Sequence, residues 1–128
     1  MDRGEVRHLV WIVDDDARAV RALAKMLRDD GFAVEGIADG RTAVDRLVLE
    51  PLPSVLVTET VLPGVDGTAV AREARKRLPT LPVIFIMGYP HLAAKATDLA
   101  PPPLVMTKPV DYDQLVNHLR AMMGTSVL

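Results

Sequence analysis

The feature that constrains this chain most is a strict alternation between two hydrophobic periods. Five short apolar runs, Val6–Val13, Phe32–Ile37, Ser54–Thr58, Pro82–Met87 and Leu104–Thr107, are each followed by a segment with helical character. Runs of Val, Ile and Leu bounded by turn residues suit strands that are covered on both faces of a parallel sheet. Ala17–Asp29 sets Val20, Leu23, Ala24 and Leu27 on one helical stripe, and Gly31 ends it. Asp39 is placed to cap a second helix bearing Ala43, Val44 and Leu47, which must stop before Pro51. A third helix follows Asp66-Gly67, with Val70, Ala74 and Leu78 inward and Arg72, Arg75, Lys76 and Arg77 mostly outward. A short fourth is expected at about 91–99. The fifth opens at Asp111, with Gln114 at the capping-box spacing and Leu115, Leu119 and Met122 facing in.

Short connections between alternating strands and helices leave few topologies. Parallel crossovers are right-handed, so helices must cover both sheet faces. The expected architecture is α/β, a flavodoxin-like (βα)5 fold with a doubly wound five-stranded parallel sheet in the order 2-1-3-4-5. All 128 residues read as a single domain, with its core at about 7–123. Pro101-Pro102-Pro103 reads as a stiff connector inside it.

Composition then narrows the function. Fifteen basic against seventeen acidic residues give a formal charge of −2, no footprint for nucleic acid or for an anionic membrane. Aromatic residues are too scarce for base-stacking platforms. Leu9–Val13, as long as any apolar stretch in the chain, is far too short to span a bilayer, and the charged start Met1–Glu5 does not resemble a secretory signal. Without cysteine there are no disulfides or thiolate metal sites, and the cytoplasm is the expected compartment. His8, His91 and His118 fall in three separate regions, so no Ser/His/Asp nucleophilic arrangement is visible and no enzymatic activity is expected.

In open parallel sheets, ligands bind outside the carboxyl ends of the strands, near the switch in strand order. Those ends hold Asp14-Asp15-Asp16, then Glu59, then Met87-Gly88, then Lys108-Pro109. Acids brought together this way repel unless a cation or a proton relieves them. Oxygen-only ligands suit Mg²⁺ or Mn²⁺. Lys108 is placed to neutralise part of the cluster or to pair with Glu59 directly. The structural alternatives are an N-cap role for Asp14 or Asp16, a solvated Lys108 and a core role for Met87. Pro63-Gly64 and Asp66-Gly67 read as turns.

Val13-Asp14-Asp15-Asp16, the stretch Leu62-Pro63-Gly64-Val65-Asp66-Gly67, the strand Pro82–Ile86 and Lys108-Pro109 together resemble the receiver domains of two-component response regulators. The resemblance implies an acid pair at Asp14 and Asp15 that binds Mg²⁺ together with a phosphoacceptor aspartate after the third strand. It implies a Thr or Ser after the fourth strand and a lysine, here Lys108, that hold the phosphoryl oxygens. Its usual contact surface, for a kinase, effector or output domain and for homodimers, is formed by the fourth helix, fifth strand and fifth helix. Here that surface would present Tyr89, His91, Lys95 and Tyr112.

The chain departs from the pattern at three places. Glu59, four residues before Pro63, stands at the phosphoacceptor position; Met87 stands at the Thr/Ser position; Val105 replaces the aromatic residue that usually reports the phosphorylated state. These departures imply a phosphorylation-independent interaction module, a pseudo-receiver with a fixed docking surface. The alternatives are a working phosphoacceptor and a Glu59 that imitates the phosphorylated state. A flavodoxin-like nucleotide- or flavin-binding protein is the distant alternative, because Asp14-Asp15-Asp16 would repel the phosphate.

Overall fold

The computed structural model describes residues 8–88 and 98–124. One sheet contains β1 (Leu9–Val13), β2 (Ala33–Ile37), β3 (Val55–Glu59), β4 (Val83–Met87) and β5 (Leu104–Thr107), in the order β2-β1-β3-β4-β5. Every neighbouring pair is parallel. The described helices are α1 (Ala17–Asp29), α2 (Gly40–Arg46), α3 (Gly67–Arg77) and α4 (Tyr112–Met123). The expected strand order and fold class are therefore observed. α4 is the helix expected fifth; the one expected at about 91–99 falls, except for its last two residues, outside the described residues, as do Tyr89, His91 and Lys95.

Strand bounds shift by a residue or so from the sequence reading. The first strand begins at Leu9, and Phe32 and Ser54 precede their strands. Glu59 is the last residue of β3 and not the first after it. The sheet ladder explains this, since Thr60 N–H still donates to the Ile86 carbonyl at 3.3 Å, so pairing runs past Thr58.

The period of two along each strand divides the core into two layers. Val10, Ile12, Val55, Val57, Ile84 and Ile86 pack under α1 and α4 with Val20, Ala24, Leu27, Leu115 and Leu119. Trp11, Val13, Leu56, Phe85 and Met87 face the other way, onto α2 and α3, with Ala43, Val70, Ala71 and Ala74. By the same parity Glu59 shares the α1 side with Val57, while Thr58 lies on the α3 side.

The helices begin on aspartates. Asp16 accepts from the backbone N–H of Arg18 and Ala19, Asp39 from Thr42, Asp66 from Ala69 and Asp111 from Gln114. Each satisfies an N–H that the first turn leaves without an intrahelical partner. Beyond α1, Gly31 takes a φ of 96°, the left-handed geometry that glycine enters without strain.

Candidate functional site

The site is assembled from strand ends. β1 delivers Asp14, whose N–H donates to the Ile37 carbonyl at 3.1 Å, a bond that continues the β1–β2 ladder. Asp14 Oδ1 accepts the Asp16 N–H at 2.9 Å, which folds the acidic triplet over the strand end. β3 delivers Glu59. Gly67 is required beside it, because a Cβ there would collide with the Glu59 carbonyl oxygen; only glycine lets α3 start this close to the strand. After β5, Lys108 N–H donates to the Met87 carbonyl at 3.1 Å, which sets the lysine beside the end of β4.

From there the Lys108 ammonium grips Glu59 with both carboxylate oxygens in reach, Nζ lying 2.6 Å from Oε1 and 2.5 Å from Oε2. The Glu59 side chain is only 12% exposed, whereas Lys108 is 44% exposed. This hydrogen bond holds the Lys108 ammonium above its ordinary pKa against the opposing effect of desolvation, and the Glu59, Asp14 and Asp15 charges add to the rise. Burial pushes the Asp14 carboxyl upward; the Asp16 N–H opposes this and the Glu59 charge reinforces it. Carboxylate oxygens of Asp14, Asp15 and Glu59 lie within 4.8 Å of one another. An all-oxygen anionic set of this kind fits a hard divalent cation such as Mg²⁺.

The structure thus brings together Asp14, Asp15, Glu59 and Lys108. It places Asp16 as the α1 cap. Met87 is 1% exposed and packs in the layer with Trp11 and Phe85, so it is a core methionine that offers no donor to the crevice. Val105 stands 39% exposed on the edge strand, away from the carboxylates.

Sequence reasoning did not single out Thr60, whose buried Oγ1 has no hydrogen-bond partner among the described residues. It also missed that Tyr112 Oη donates to Asp30 Oδ2 at 2.6 Å, joining the start of α4 to the end of α1. No local signal announces either feature, since both depend on which segments meet in space.

A parallel sheet in this order, with acids after β1, a carboxylate ending β3 and a lysine after β5, has the arrangement of a receiver domain. The family model of the response regulator receiver domain matches residues 10–120, and the chain belongs to that family and to two-component signal transduction. The chain is 34% identical over 115 residues to the response regulator receiver protein CpdR of Brucella abortus strain 2308, covering 89% of this chain and 95% of that protein. It is 31% identical over 111 residues to the DNA-binding transcriptional regulator NtrC of Klebsiella pneumoniae, covering 86% of this chain but 24% of that regulator. A response regulator receiver protein from Sinorhizobium medicae WSM419 shares the structure with a TM-score of 0.83 at 26% identity, over 95% of this chain and 98% of that one.

Proposed function

We propose that this receiver domain signals without being phosphorylated, as a pseudo-receiver that presents a fixed protein-interaction surface. The observation that carries this reading is the closed Glu59–Lys108 pair at 2.5–2.6 Å. Glu is as competent a nucleophile as Asp, but one additional methylene displaces the carboxylate by roughly 1.5 Å, about one C–C bond. Phosphoryl transfer depends on positioning, and a misplacement near 1 Å costs about 10²-fold in rate. Buried Met87 removes a donor to the phosphoryl oxygens, typically worth ~1.5–3 kcal/mol for a charged acceptor.

On this reading the domain is not an enzyme. Its partner is a kinase, effector or output domain that docks on the face around β5 and α4, or a second copy of the chain. It does not bind nucleic acid or membrane, and it works in the cytoplasm. Among the described residues no helix is long and apolar enough to cross a membrane. Asp14, Asp15 and Glu59 are the residues that would hold Mg²⁺, whose chemistry there is to neutralise the gathered negative charge. Incubation with acetyl phosphate and Mg²⁺, followed by intact mass measurement, tests the proposal. Unchanged mass is expected, and a phosphoryl adduct on the wild-type chain overturns it.

The grip of both Glu59 oxygens on Lys108 also favours a second reading, in which Glu59 imitates a phosphorylated aspartate. Glu59→Gln would then weaken partner binding, and equal affinity of the two proteins would exclude the mimic.

A further inference from the structure

We propose that the cleft between α1 and the β5–α4 connection binds a small amphipathic amine, an apolar body with a protonated nitrogen head. The cleft has a volume of about 640 Å³, within the range of small-molecule sites. Ala19, Ala22 and Met26 form the α1 wall, Ile86 lies at the sheet, and Val110 and Tyr112 form the opposite wall. Two alanines one turn apart create the gap, because a longer side chain at either position would project into it.

Two hydrogen bonds tie down the far end of the α1 wall. Tyr112 Oη holds Asp30 at 2.6 Å, and the Arg28 guanidinium donates to the Val34 carbonyl at 2.8 Å, which anchors the end of α1 to β2.

Charge at the mouth selects the head group. Asp14, Asp16 and Lys108 line it. The Lys108 ammonium is already held by Glu59, and Asp15 lies within the same carboxylate cluster. With Glu59 paired to Lys108, the three carboxylates of Asp14, Asp15 and Asp16 leave a net negative charge that favours a cation and repels an anion. Asp14 Oδ1 accepts the Asp16 N–H, which holds this carboxylate, an acceptor-only group, in place at the lining of the cleft. This inference goes beyond the phosphorylation-independent reading: an occupied cleft is an input of its own, and it stands whether or not a phosphodonor labels the domain.

Isothermal titration of the whole chain at neutral pH with hexylammonium, hexanol and hexanoate tests it. Hexylammonium is expected to bind saturably with a negative heat-capacity change, the signature of apolar burial. Hexanol is expected to bind at least roughly tenfold more weakly and hexanoate not at all. Ala22→Leu is expected to cost at least roughly tenfold in hexylammonium affinity by filling the gap. Ala19→Leu serves as the second variant, with Trp11 fluorescence and far-UV circular dichroism confirming the fold of each. Amide chemical shifts of the wild-type chain should move along α1 and at Val110. Failure of hexylammonium to bind, equal affinity for all three probes, shifts located elsewhere, or undiminished binding in a folded cleft-filling variant each overturns the proposal.

Discussion

Glu59 concentrates the chemistry of this domain at one side chain. It ends a buried strand, lies beside two aspartates, and meets Lys108 with both oxygens. If its length and the lost hydroxyl at position 87 are what prevent phosphorylation, restoring both should restore it. The variant combining Glu59→Asp with Met87→Thr is expected to gain a phosphoryl adduct from acetyl phosphate and Mg²⁺, read by intact mass, where the wild-type chain gains none. Because Met87 is fully buried, the second change should also cost about 2–5 kcal/mol in urea unfolding. Asp14 makes an opposite kind of prediction. Its folded pKa is raised above the ordinary 3.8, so the native state binds the proton more tightly than the unfolded chain. Stability contributed by that proton is present below pH 3.8 and falls away as pH rises through the raised value. Asp14→Asn should therefore raise the urea midpoint at neutral pH, and the gain should vanish below pH 3.8. A gain that persists in acid would mean the carboxyl is not strained by its surroundings.

At the level of elements, a bond between two surface-proximal groups supplements the apolar packing of α1 and α4 on the sheet. Desolvation and the hydrogen bond to Asp30 push the Tyr112 phenol up to about 12. The folded state holds this proton longer than the unfolded one does, so the stabilisation is complete below about pH 10 and is lost as pH rises toward about 12. Absorbance titration of the Tyr89→Phe variant should show the remaining tyrosine ionising near that upper value. Tyr112→Phe should cost about 0.5–1.5 kcal/mol by urea denaturation, the usual worth of one intramolecular hydrogen bond. The caps behave differently, because each acts within its own helix. Asp16→Ala removes the acceptor for the Arg18 and Ala19 N–H groups and should cost about 1 kcal/mol.

Across the whole molecule, a phosphorylated receiver must pass its state from the crevice to a distant face, which requires an element with two arrangements. The parts that would do so here are a buried methionine and an exposed Val105 on the edge strand. Addition of beryllofluoride with Mg²⁺ should accordingly leave amide shifts of β5 and α4 unchanged, with any response confined to Asp14–Asp16 and the Glu59 region. Movement of the Val105 amide would show that the coupling survives. The single tryptophan, Trp11, lies in the α2–α3 layer, so its fluorescence reports loss of that core in every unfolding experiment described above.

Much of this was present in the order of residues. The five strands announced themselves because a parallel sheet covered on both faces demands near-continuous apolar runs, and the caps because aspartate satisfies free N–H groups locally. The carboxylates and lysine could be placed at one edge because the topology sends every strand end to the same side. Boundaries were less legible: Glu59 belongs to β3 because pairing with β4 continues past Thr58, which is a fact of register between strands. Only the tertiary structure decided that Lys108 reaches Glu59 with its ammonium between both oxygens, that Met87 turns into the core, and that Ala19 and Ala22 leave a cleft instead of closing it. Each of these is settled by distances between residues far apart in the chain, and local propensity has no access to them.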